Sequence, residues 1–418
     1  MPLKIYPKML RGTVTVPSSK THTFLNILLA SFSKESTIIH NPNYTDEIIT
    51  LISNLKLLGV EFKIEDKKIM ISSPKVFKRF TDTIECKQYD SILMSLLLIS
   101  KFFSDDTTFH GDIEIIKELN KEVLNNLPIS YLKTNETINI LNIEKVNEIN
   151  LISFPHSYLV IGTILYGILS KQEMIIHINS SLINDPHLLI LKDVLKNYNI
   201  NFEISPESNI LTISYQEIKS PGSINIEGDW LLASHYLALG ISNERIIINN
   251  VQLKTLQPES LIIDYFTKKN AIISQGDNMI IVENSFLSST SYDLSTCPNL
   301  SILILCSSTI SSGTSILTGF SKLSLKLQNS ILKLIILLNK MNAEIELKDD
   351  KIIVNGVKTL EGGLIDSEID SLSILGLLTL VNFFVMPLEF NNLHKFENKY
   401  PYFINSLKNI GAEITERI

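Results

Sequence analysis

Asn342-Ala-Glu-Ile-Glu-Leu-Lys-Asp-Asp-Lys-Ile-Ile-Val354 alternates apolar with charged residues, breaks at Asp349-Asp350 and resumes the alternation. That pattern predicts a β-hairpin with one wet face, the aspartates supplying the turn. Before it, Ser330 to Met341 sets Ile331, Leu332, Leu334, Ile335, Leu337 and Leu338 at helical spacing. The local unit is a helix followed by a hairpin.

The same phrase recurs along the chain. Val60 to Ile64 turns at Glu65 to Lys68 into Ile69-Met70-Ile71, and Ile129 to Leu132 turns near Asn135 into Ile138-Asn139-Ile140. Ile200 to Ile204 turns at Pro206 to Asn209 into Ile210 to Ile213, and Ala271-Ile272-Ile273 turns at Gly276-Asp277 into Met279 to Val282. A shortened last copy is Gly411-Ala412-Glu413-Ile414. Anchors at 60, 129, 200, 271, 343 and 412 lie 69 to 72 residues apart, a regular interval that makes the chain six copies of one α/β unit.

A length of 418 residues suits two or three domains, which six such units satisfy as two groups of three. A net charge of -7 excludes a nucleic-acid surface, since phosphate backbones need clustered cations. The most apolar windows, Leu159 to Leu169 and Leu372 to Met386, are too short to span a bilayer and fit buried helices. Cys86, Cys297 and Cys306 form neither a disulfide framework nor a zinc pattern, and no secretion signal is visible, so a reducing cytoplasmic setting is expected. Lysine outnumbers arginine 33 to 4, the arginines being Arg11, Arg79, Arg245 and Arg417.

In chain order, Val16-Pro17-Ser18-Ser19-Lys20-Thr21 opens a helix running to about Phe32, a place where backbone N–H groups and a lysine can receive an anion. His22 and His156 are expected to face solvent or a backbone partner. Thr45 caps a helix from Asp46 to Leu58 that ends at Gly59. Further helices are predicted over Ser91 to Phe103, Ile115 to Asn126, Ser157 to Leu169 and Leu188 to Tyr198. Ser220-Pro221-Gly222 is a linker, Asp229 caps the next helix, and Lys399-Tyr400-Pro401 starts the last one.

The order of these landmarks resembles the 5-enolpyruvylshikimate-3-phosphate (EPSP) synthase family. The matching pieces are Val16 to Thr21 (family P-x-S-K-S), Glu227-Gly228-Asp229-Trp230 with Ala233-Ser234 (G-D-x-S-x-A-S), Gly313-Thr314 with Lys326, Asp370, and Lys399-Tyr400-Pro401 with Phe403. The resemblance implies the two-domain enolpyruvyl transferase fold, an inside-out α/β barrel of six βαβαββ-type units with three per domain. One domain would span 15–221 and the other 1–14 plus 222–418, around a shared cleft. It implies transfer of enolpyruvyl from phosphoenolpyruvate to shikimate 3-phosphate by a monomer, with no metal, organic cofactor, nucleic acid or membrane. Lys20 and Lys326 would be catalytic, with Asn299 in place of the family base; Lys20, Thr21, Ser157, Lys326 and Lys399 would bind substrate.

The chain departs from the family pattern where that chemistry sits. Leu25, Met94, Glu118, Ser330 and Leu372 stand where the family has arginines, Pro155-His156-Ser157 replaces S-S-Q, and Leu327 replaces a glutamate. Lysine-rich drift would have left lysines there. Five charged hydrogen bonds at roughly 1.5–3 kcal/mol each are missing, more than a rearranged lysine restores. Three readings stay open: an active transferase, a catalytically inactive homologue that binds or scaffolds, and an enzyme with an altered acceptor and another anionic donor.

Overall fold

The computed structural model describes residues 3–78, 83–103, 106–154, 156–183, 185–365 and 369–416. Pro155, Arg79 and Arg417 lie outside the described residues. The chain divides into two compact bodies, a continuous one over Ser19–Ile226 and a split one formed by Met1–Ser18 with Glu227–Ile418.

Among the described residues six four-stranded sheets carry the architecture, three in each body, and none closes into a barrel. All six share one strand order, which the sheet around Ser291–Asp293 illustrates. That strand runs parallel to Thr314–Thr318, which pairs antiparallel with Lys351–Asn355, which in turn pairs antiparallel with Glu344–Lys348. The opening hairpin of the sequence reading is the last two of these strands, with Asp349 at the turn in the left-handed region (φ 52°). Its alternation sorts side chains as expected: Ile352 and Val354 are buried while Lys351 and Asn355 are exposed.

Five of the helices that feed such hairpins end in the same way, the exception being Lys121–Asn125, whose last half-helical residue Asn126 is followed by no left-handed residue. Leu58, Tyr198, Lys269, Met341 and Ile410 are the last half-helical residues, and each is followed by Gly or Asn at positive φ: Gly59, Asn199, Asn270, Asn342 and Gly411. The next residue's N–H then reaches back to the helix, as Val60 does to Leu55 O, Ile200 to Leu195 O, Ala271 to Phe266 O, Ala343 to Leu338 O and Ala412 to Leu407 O. This is the Schellman closure, which satisfies orphan carbonyls and aims the chain into the sheet.

Three sheets borrow a strand from far along the chain. Ser223–Asn225 lies parallel to Thr37–His40, Gly12–Thr15 lies parallel to Ile246–Asn249, and Leu3–Ile5 fills the gap between Leu388–Phe390 and Ile414–Glu416. The shortened sixth hairpin is thus completed by the N-terminal strand. Between the sheets run helices buried on nearly every side, notably Lys20–Ala30, Ser157–Leu169, Trp230–Ser242 and Ser301–Thr309. Each body has its own continuous apolar core. Among the described residues no helix is long and apolar enough to cross a membrane.

Several element boundaries differ from the sequence reading. The helix expected from Ser330 begins at Leu325, because Ser324 caps it by accepting from Leu327 N. The expected Ser91–Phe103 helix is Asp90–Leu96 followed by a 3-10 turn at Ile99–Phe102. Asn120 caps a new helix and so splits Ile113–Glu118 from Lys121–Asn125. Lys399 ends the helix His394–Lys399; the last helix starts at Phe403, with Pro401 in the connection.

Candidate functional site

In the continuous body, three helices begin with the residues of interest: Lys20–Ala30, Asp90–Leu96 and Ser157–Leu169. The last two touch so closely that a Cβ on Gly162 would stand 2.7 Å from Met94 O and 2.8 Å from Ser95 O. Only glycine permits that approach.

Ser19 caps the first helix, its Oγ facing the N–H and the Nδ1 of His22. Burial outweighs the attraction of Asp193 and pushes the His22 imidazole down to about 4, so it is neutral and rests on Ser19 rather than in solvent. Lys20 Nζ lies 2.5 Å from Glu47 Oε2, and Ser91 Oγ donates to Glu47 Oε1 at 2.5 Å. Glu47 is buried, so it locks the lysine to the start of the second helix with charge-assisted hydrogen bonds. Beside it, Asp46 accepts from Lys87 Nζ and from Tyr89 Oη at 2.8 Å.

Tyr158 is the hub of this cluster. Its phenol hydrogen-bonds Thr21 and feels Glu47, Asp90 and Asp185; burial first, then those carboxylates, hold it far above the ordinary tyrosine range. It therefore stays a neutral hydroxyl. Ser157 Oγ donates to Asp185 Oδ1 at 2.7 Å, while Asp185 caps the helix Pro186–Asn197. Although burial acts to raise Asp185, His187 and Ser157 outweigh it and keep the carboxyl below its usual value.

His156 stacks on Phe154 (5.4 Å, 10°) and turns Nε2 to Asp90 Oδ2 at 3.3 Å, a carboxylate partner rather than solvent or backbone. Asp90, Glu118 and His156 offer ligand atoms within 4.8 Å of one another, the one set among the described residues that could hold a divalent cation. They also make this corner acidic. Leu25 and Met94 are fully buried core residues.

In the split body the expected residues have separate surroundings. Asn299 Nδ2 donates to Glu259 Oε1 at 2.7 Å, and that glutamate is buried. Lys326 is exposed in the first turn of Leu325–Lys340 and makes no ion pair among the described residues. Lys399 is exposed, its Nζ 5.6 Å from the Tyr400 ring centre. Asp370 caps its helix, accepting from Leu372 N and Ser373 N. The described arginines are engaged at the surface, Arg11 with Glu244 at 3.6 Å and Arg245 with Glu283 at 3.9 Å.

Lys20 is thus joined to Ser91 through Glu47, and Ser157 to Asp185, while Tyr158 partners Thr21; Glu47, Ser91, Tyr158 and Asp185 are four residues that sequence reasoning did not select. Glu259 was missed as well. The available signal was position: Glu47 and Ser91 each stand in a first helical turn.

A family model described as EPSP synthase (3-phosphoshikimate 1-carboxyvinyltransferase) matches residues 6–407. A 3-phosphoshikimate 1-carboxyvinyltransferase from Clostridium botulinum (strain Eklund 17B / Type B) is 26% identical over 425 residues, covering 99% of this chain and 98% of the relative. One from Clostridium perfringens (strain 13 / Type A) is 25% identical with 99% of both chains covered. Among solved structures, an EPSP synthase from Acinetobacter baumannii superimposes with a TM-score of 0.82 at 14% identity, over 100% of both chains. The enolpyruvyl transferase NikO from Streptomyces tendae gives 0.77 at 13%, covering 99% of this chain and 98% of that one.

Proposed function

The chain belongs to the EPSP synthase family, and on that premise we propose that it transfers the enolpyruvyl group of phosphoenolpyruvate to the 5-hydroxyl of shikimate 3-phosphate. A bond forms between the hydroxyl oxygen and C2 of phosphoenolpyruvate, the C2–O bond to phosphate breaks, and the hydroxyl hydrogen leaves with inorganic phosphate. The reading needs cations for the anionic groups, a base at the hydroxyl and an acid for the methylene carbon. The observation that carries it is Lys20, kept at a helix N-terminus and oriented by the buried Glu47. Thr21 and Ser157 supply hydroxyls for substrate, and Lys326 and Lys399 supply further positive charge. Asn299 takes no proton near neutrality, but Glu259 lies against it and is the carboxylate that serves as base.

A second reading, a catalytically inactive binding protein, draws on a specific observation. Two positions where the resemblance implies arginines are filled by the buried Leu25 and Met94, and a third by Glu118, beside Asp90. Phosphate release from phosphoenolpyruvate plus shikimate 3-phosphate, with calorimetry on each ligand, separates the two. Turnover that is lost in Lys20→Ala supports the transferase. Binding of either ligand without phosphate release supports the inactive homologue, and absence of both heat and phosphate defeats each.

A further inference from the structure

Five helices of this protein end on a residue that plugs the core just before the left-handed turn. Four of those residues, Leu58, Tyr198, Met341 and Ile410, are apolar or aromatic and at most 4% exposed. The fifth is Lys269, which is 0% exposed at the same position of the fourth unit. An amine thus stands where the four other helices closed in this way have a core side chain.

The surroundings suit an amine and not an ammonium. Lys269 Nζ donates to Tyr265 Oη at 3.1 Å, and Tyr265 Oη lies 3.3 Å from both Ser307 Oγ and Ser308 Oγ. Both serine hydroxyls donate to Ile304 O, so the chain runs from amine to phenol to serine to helix carbonyl. An ammonium would bring three N–H groups to this one acceptor. Around it stand Tyr265, Tyr292, Cys297 and Cys306, all held protonated by burial, and Asp293, whose carboxylate is engaged by Ser295 and Lys322; Asp264 and Lys268 lie on its own helix and Glu259 on the turn that precedes it. The Tyr265 ring, 5.0 Å from Nζ, and its hydroxyl as acceptor are the features among the described residues that favour a positive charge. Burial is the only cause acting on the amine, and it pushes it down to about 7.

We propose that Lys269 is a pH-sensitive latch in the split body: protonation puts an uncompensated charge into the core and loosens the segment 262–289, and deprotonation closes it again. The sign follows from linkage. The unfolded lysine is protonated up to about 10.5 and the folded one only to about 7, so the open form binds more protons between those values and stability rises with pH there.

Hydrogen exchange on the unaltered chain tests this, after correction for intrinsic rates. Between pH 8 and pH 6 the protection of 262–289 falls about tenfold, while the sister hairpin 344–355 in the same body changes little. His22 and His235, which titrate lower, lie outside the segment. Equal changes in both segments overturn the proposal. In Lys269→Met, the gain in unfolding midpoint over the unaltered chain shrinks as pH rises from 6 to 10; a gain that is the same at every pH overturns it too.

Discussion

Glu47 decides what Lys20 can do. The carboxylate is buried and the lysine partly exposed, so the pair holds the ammonium in place while repelling the anions it would meet. Glu47→Gln keeps an acceptor for Ser91 and removes the repulsion. We expect inorganic phosphate to bind about fivefold to tenfold tighter by calorimetry, a gain of about 1 kcal/mol; unchanged or weaker binding would show that Glu47 serves the anion site. Glu259 invites a second test. As the base, its replacement by Gln lowers phosphate release by about a hundredfold or more while calorimetry with shikimate 3-phosphate changes little. Retained turnover in Glu259→Gln would remove it from the mechanism. Lys20 and Thr21 drew attention because they open a helix behind Ser18 and Ser19, whereas Ser157 was reached only through the resemblance. Glu47 was not legible, since a glutamate in a first turn reads as a helix-dipole partner and its lysine lies 27 residues earlier.

At the scale of elements, hairpins were the most legible feature, because alternation on a half-buried sheet is written in consecutive residues. Helix starts were less so. Leu325 is 78% exposed and Lys326 follows it, so the first turn of that helix has no apolar stripe to reveal it, and Ser324 announces it only through a cap that also suits a turn. Lys399 was misplaced for the opposite reason: Pro401 reads as a helix opener, yet the helix it follows has already run its course. The closest helix contact was invisible from sequence. Gly162 lets Ser157–Leu169 lie against Met94 and Ser95, and this contact sets His156 opposite Asp90. Adding one methyl there must push the helices apart, and Gly162→Ala is expected to cost about 1–3 kcal/mol, read as a lower urea midpoint at unchanged slope. An unaltered midpoint would mean that the two helices slide freely.

For the molecule as a whole, the repeat fixed where six hairpins would fall, but nothing in a 70-residue period says which unit lends a strand to which. The sheets at 37–40, 246–249 and 388–390 are each completed by chain from elsewhere, so the copies are not independent domains in a row. The N-terminal strand is the sharpest case. Leu3 and Ile5 are 6% and 0% exposed, Lys4 meets Glu389 at 2.6 Å, and the strand pairs on both sides. Removing residues 1–6 would uncover the edges of both neighbouring strands and two core side chains worth about 1.5–3 kcal/mol each. The truncated chain is therefore expected to unfold at a midpoint several degrees lower and to aggregate on heating, whereas Lys4→Gln, which breaks a partly exposed ion pair, costs about 1 kcal/mol or less. Equal effects of the two changes would mean that the ion pair and not the strand closes the sixth sheet, and that the shortened hairpin at 411–416 is stable without its borrowed partner.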